Sequence, residues 1–171
     1  APAEHARIGE TLRAQPLATD RRMTYTNYPY EINLEVAFRD IDAMGHVNNA
    51  VFFAYFETVR IKYLGEIMER SGLLGTELLD LPLILVEANC TYKSPALLTE
   101  TLHIGTGISR FGTKSFDMLY RVQGEDDRLV AYGKTVQVMY DYIHRSAFPV
   151  PPEVRNYVEE YQGRWEPPSY P

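Results

Sequence analysis

The chain has 171 residues, 45% hydrophobic and 23% charged, the make-up of one ordinary globular domain and not of a disordered segment. Its 23 acidic against 17 basic residues leave a net charge of −6, which argues against general electrostatic binding of nucleic acid. The single cysteine, Cys90, excludes an intrachain disulfide or a cysteine-rich zinc site, and no run of eighteen apolar residues is present to span a membrane. The opening residues also lack the apolar core and cleavage site of a secretory signal, so a cytoplasmic location is expected.

Residues 1–28 are polar and irregular and read as an arm that packs on the domain. From Tyr30, the apolar residues Ile32, Leu34, Val36 and Phe38 alternate with Glu31, Asn33, Glu35 and Arg39, the period of a half-buried strand. Asp40 to Asn49 interrupt that alternation with two acids, Gly45 and two Asn, residues suited to a loop and to a helix start. Phe52, Phe56, Val59, Tyr63 and Ile67 then recur at three- and four-residue steps, predicting a helix from Asn49 to about Ser71 with Gly72 as its stop. Its first two turns are apolar nearly all round, so the helix should be largely enclosed.

Four stretches rich in β-branched and aromatic residues follow, at 83–92, 100–108, 114–123 and 129–140, after a loop containing GLLGTELLDLP. Short turn sequences separate the four stretches, which makes antiparallel neighbours. A short helix is expected at 151–161, followed by a tail over 162–171 whose WEPPSYP stretch, 165–171, should fray. The order of elements predicts an α+β domain over 29–161, with one antiparallel sheet covering a long central helix.

The chemistry gathers before the long helix. A helix start offers unpaired N–H groups and a partial positive charge, which suit a carbonyl oxygen that becomes an oxyanion under attack. A carboxylate from Asp40 or Asp42 on the preceding loop can serve there as nucleophile or as general base toward water. The same residues also suit plain capping: the Asp and Asn side chains can hydrogen-bond their own backbone and do nothing else. His46 suits either a ligand contact or a structural bond. Glu57 and Arg60, three apart on the helix, suit an ion pair, and Cys90, in an apolar strand, suits a buried unreactive thiol. His5, His103 and His144 have no metal-ligand spacing, and neither a metal nor another cofactor is expected.

The stretch FRDIDAMGHVNNAVFFAYFETVR, Phe38 to Arg60, resembles the signature of hotdog-fold acyl-CoA thioesterases of the 4-hydroxybenzoyl-CoA thioesterase type, in its GHVNN branch. Tyr92, Ser94 and Pro95, the turn into Gly112-Thr113-Lys114, and Ala131 with Gly133 extend the resemblance over about residues 30–160. It implies a hotdog fold, in which a five-stranded curved antiparallel sheet wraps one long central helix. By the same resemblance Asp42 is the catalytic carboxylate and Asp40 is structural, and the backbone N–H at or beside Asn49 polarises the thioester carbonyl. Gly45, His46 and Asn48 then shape the substrate side of the loop. The implied substrate is an acyl-CoA or acyl-carrier-protein thioester, and the implied assembly a homodimer or homotetramer with each site at a subunit boundary. Should the carrier be CoA, Arg110 and Lys114, flanking Gly112, are the candidates for its phosphates. Two other classes compete. One is a non-catalytic acyl-thioester-binding or sensory protein, which would release no thiol; the other is a dehydratase, which would form an enoyl product and needs a His-based acid–base arrangement not found here.

Overall fold

The computed structural model describes residues 26–71 and 82–169. The greater part of the N-terminal arm, with His5, and the loop with Gly72 lie outside the described residues. Alternation puts Tyr30, Ile32 and Leu34 against the core and forms strand β1, Tyr30–Glu35. β1 ends earlier than the alternation suggests. Ala37 donates to the Asp40 carboxylate (3.2 Å) and Asp40 N–H to the Ala37 carbonyl (2.9 Å), which closes a 3-10 turn over Phe38–Asp40 and leaves Phe38 82% exposed.

The long helix, α1, runs Val51–Arg70 and starts two residues later than expected, because Asn48 to Ala50 form a turn in front of it. Its buried residues, Phe52, Tyr55, Phe56, Val59, Arg60, Tyr63, Leu64, Ile67 and Met68, follow the three-and-four step of one helix face. Enclosure is therefore one-sided: Phe53, Ala54 and Glu57 remain exposed. The expected ion pair forms loosely, with Arg60 Nη2 3.7 Å from Glu57 Oε2.

After α1 come β2 (Leu83–Tyr92), β3 (Thr101–Phe111), β4 (Ser115–Gln123) and β5 (Leu129–Asp141). All pairings are antiparallel, in the spatial order β1-β3-β4-β5-β2. Sequence neighbours β1 and β2 thus occupy opposite edges, and the helix that joins them belongs across the face of the sheet. Phe56 of α1 stacks on Tyr120 of β4 at 4.4 Å, and this approach needs Gly133 on β5. A Cβ there would lie 2.5 Å from the Phe56 ring and 2.4 Å from the Asn89 carbonyl of β2.

One feature exceeds the expected hotdog sheet. The chain turns back after β5 to add β6, Ser146–Ala147, making six strands; two residues carry no readable periodicity. Beyond it α2, Pro152–Gln162, buries Val154 and Val158. The start of the tail does not fray. Trp165 packs on Tyr28 at 5.0 Å and donates to the Asn27 carbonyl (3.2 Å), so both described chain ends meet beside β3. No helix among the described residues is long and apolar enough to cross a membrane.

Candidate active site

Asp40 and Asp42, two residues apart, have different surroundings. The Asp40 Oδ2 accepts from the Tyr55 hydroxyl (2.9 Å) and from Ala37 N–H, so this carboxylate ties the 3-10 turn to α1. Burial first, and then the bond to Asp40, push the Tyr55 phenol far above its ordinary pKa, keeping it a donor. Asp42 instead turns back on its own loop: Oδ1 accepts from Met44 N–H (2.8 Å), and among the described residues Oδ2 has only the Asn48 amide, at a long 3.4 Å. Asp42 N–H donates to the His46 carbonyl (3.1 Å) and Gly45 N–H to the Asp42 carbonyl (3.0 Å). Gly45 sits at φ +83°, which favours glycine.

The loop is fastened around Asn49. Val47 N–H donates to Ala96, Asn48 N–H to Asp40, Ala50 N–H to the Asn48 side chain (2.9 Å) and Val51 N–H to the Asn48 carbonyl (3.0 Å). Asn48 thus bonds its local backbone as the capping alternative expected, but it closes a turn before the helix: the N-cap, Ala50, has no side-chain cap bond. Asn49 N–H, in the middle of the run, has no acceptor among the described residues.

A cavity of about 430 Å³ opens against this loop. Asp42, His46 and Asn49 line one side, Val47 and Phe52 give apolar surface, and Tyr92, Lys93 and Pro95 face them from the end of β2. The structure therefore brings Asp42, Asn49 and His46 together, while Gly45 and Asn48 shape the loop and do not line the cavity. The His46 ring is bonded at Nδ1 to the Val47 carbonyl (3.3 Å). The signal for the far wall was the TYKSPA stretch that closes β2, but only the fold sets it opposite the GHVNN loop.

Arg110 and Lys114 are not at this cavity in the same chain. They flank the β3–β4 turn, where Ser115 pairs with Val138, whereas Tyr92 is level with Ala131 and Val122. Seven residues of strand separate the two levels, about 23 Å at ~3.3 Å per residue. Arg110 Nε is held by Asp117 Oδ2 (3.1 Å) and Lys114 Nζ by the Ala147 carbonyl (2.9 Å). Cys90 is half-buried, and burial pushes its thiol up to about 11, consistent with an unreactive group. Among the described residues no cluster of three His, Cys, Asp or Glu could hold a metal ion.

A long helix packed across an antiparallel sheet of this strand order is the arrangement of a hotdog protein. The chain belongs to the thioesterase-like superfamily, whose profile matches residues 36–158. It is similar to a thioesterase of Thermus thermophilus, solved with coenzyme A and zinc, at 28% identity and a TM-score of 0.71; the match covers 82% of this chain and 98% of that one. A gentisyl-coenzyme A thioesterase, BH1999, superimposes with a TM-score of 0.64 at 26% identity, covering 75% and 98% of the two chains. Among curated sequences, the uncharacterized protein YsmA of Bacillus subtilis (strain 168) is 28% identical over 95 residues, which is 56% of this chain; the match spans 61% of YsmA's length. The resemblance to hotdog thioesterases drawn from the FRDIDAMGHVNN stretch is thus borne out at the level of family and fold.

Proposed function

We propose that the protein hydrolyses acyl-CoA thioesters to the free acid and thiol in the cavity between the GHVNN loop and the end of β2. The observation that carries this reading is the pairing of the Asp42 carboxylate with the unoccupied Asn49 N–H on one cavity. The thioester carbonyl oxygen accepts from Asn49 N–H, and Asp42 takes a proton from water as the water oxygen bonds to the carbonyl carbon. The tetrahedral intermediate collapses with loss of the carbon–sulfur bond, and the thiolate leaves with the proton held by Asp42. Direct attack by the carboxylate, with an anhydride then hydrolysed by water, uses the same atoms. Acyl-carrier protein is the alternative carrier of the same bond.

The active form proposed is a dimer. β2 is a ten-residue edge strand with Leu85 44% and Val86 57% exposed, and beside it the apolar start of α1 leaves Phe53 partly bare. Such an edge invites pairing with a second copy. A two-fold axis through β2 lays the Tyr92 end of one protomer alongside the Leu83 end of the other. Leu83 is level with Met139, whose N–H donates to Lys114. Arg110 and Lys114 would then serve a CoA bound in the neighbouring subunit, as phosphate ligands supplied across the interface.

The test is thiol release from short, medium, long and aromatic acyl-CoAs and from an acyl-carrier protein, alongside light scattering to measure mass in solution. Turnover of at least one acyl-CoA that Asp42→Asn removes supports the reading. Binding without release across the whole panel would make the protein an acyl-thioester binder.

A further inference from the structure

Tyr92 does more than line the cavity. It closes β2, its ring stands edge-on to Phe52 at 5.3 Å, and its hydroxyl donates to the Asn49 carbonyl at 2.9 Å, across 43 positions of sequence. Of the other hydrogen bonds around Asn49, Ala50 N–H and Val51 N–H return to Asn48, Asn48 N–H reaches Asp40, and Val47 N–H, two residues before, reaches Ala96 beyond β2. The first three keep the shape of the loop, and the last ties it down two residues short of the oxyanion donor. At residue 49 itself the link to the sheet is the Tyr92 hydroxyl. Burial, followed by the neighbouring Cys90, raises the Tyr92 phenol above its ordinary pKa, so it remains a donor at neutral pH.

We infer that Tyr92 is a positioning residue for the oxyanion donor: by holding the Asn49 carbonyl it sets the place of the Asn49 N–H against the reacting carbonyl. This inference rests on the thioesterase reading of the site. An oxyanion donor contributes according to where the oxygen moves as the carbon becomes tetrahedral, so a donor displaced by a fraction of an ångström weakens the transition state more than the bound substrate. The ring of Tyr92 packs on Phe52 independently of the hydroxyl, which separates the two roles chemically.

Tyr92→Phe keeps that packing and removes the bond. With an acyl-CoA that the wild type turns over, kcat should fall about 10-fold with KM within about twofold. The melting temperature should stay within a degree or two, because the phenol is 43% exposed. A kcat within twofold of wild type overturns the inference, and so does a loss accompanied by an equal rise in KM or a large drop in melting temperature, the marks of a merely structural role. Failure of the function itself reads differently, as absence of turnover by the wild type. The anchoring is then read without turnover, by amide hydrogen exchange at Ala50 and Val51, whose N–H groups are bonded within the turn: exchange faster by about tenfold in Tyr92→Phe supports the anchor, and unchanged exchange overturns it.

Discussion

The two ends of the sheet are built on opposite plans. At the end that holds the β3–β4 turn, most polar groups are closed off in pairs, with Asp117 Oδ1 the buried exception that has no partner among the described residues. Gln162 of α2 both accepts from Ile108 N–H (2.8 Å) and donates to the Ile108 carbonyl (2.9 Å), while Tyr63 donates to the same amide oxygen (2.5 Å). Asp117 holds Arg110 and Lys134 together. At the loop end, among the described residues, a backbone N–H lacks an acceptor and a carboxylate oxygen has only a 3.4 Å partner, both beside a cavity. Saturated hydrogen bonding stabilises; incomplete hydrogen bonding leaves a place for a ligand's own donors and acceptors.

If that contrast is right, substitutions at the two ends must fail in different ways. The largest effect expected is from Asp42→Asn, which should lower kcat more than 100-fold while leaving the melting temperature within a few degrees; thiol-release kinetics and thermal melts on one preparation check it. Asp40→Ala, two residues away, should reverse the pattern, costing stability by removing the acceptor of Tyr55 and of Ala37. At the closed end, Gln162→Ala strands the Ile108 groups and the Tyr63 hydroxyl, a loss on the order of 2–4 kcal/mol. That should appear as a melting temperature lower by roughly 5–15 °C with kcat unaltered.

Arg110→Ala with Lys114→Ala sharpens the comparison across the subunit boundary. A several-fold higher KM for acyl-CoA and a flatter salt dependence are expected, with kcat and the hydrolysis of a short thioester lacking the nucleotide unaltered. An unaltered KM and salt response would put the phosphates elsewhere. Cys90 gives a smaller effect of defined sign. Its thiol is raised in the fold, so the unfolded chain loses that proton first as pH rises. Its contribution is therefore fully present below the ordinary thiol pKa and declines as pH climbs toward about 11, which denaturant melts from pH 8 to 11 would register. The smallest expected effect is none at all: chelators should leave the rate unchanged, since backbone N–H and carboxylate suffice for the proposed chemistry. Loss of activity restored by one divalent ion would break that expectation.

Much of the fold was legible because its signals are local. The alternation from Tyr30, the helical step from Phe52 to Ile67 and the turns at Ser94-Pro95 and Gly124-Glu125-Asp126-Asp127 each depend on a few neighbouring residues. The end of β1 was misplaced because the Asp40 carboxylate pulls Ala37 out of the strand, a side-chain bond that outweighs hydrophobic alternation. At the site, Asp42 and Asn49 stood out through their spacing and the family resemblance. Tyr92 carried no visible role, since its bond to Asn49 spans 43 residues and exists only once β2 has crossed to the far edge of the sheet. Where Arg110 and Lys114 stand relative to the loop was not legible for the same reason: a sequence does not say which end of a strand faces which.

The Gln162 side chain behaves toward Ile108 as a single residue of a neighbouring strand would, offering one acceptor and one donor. Strand β3 is therefore completed by a residue made 54 positions later. During synthesis, β1, α1 and the other long strands have all left the ribosome before that edge of β3 can close. Until then Ile108 presents an open backbone pair, so the nascent domain spends its last stage of elongation with one sheet edge available to wrong partners.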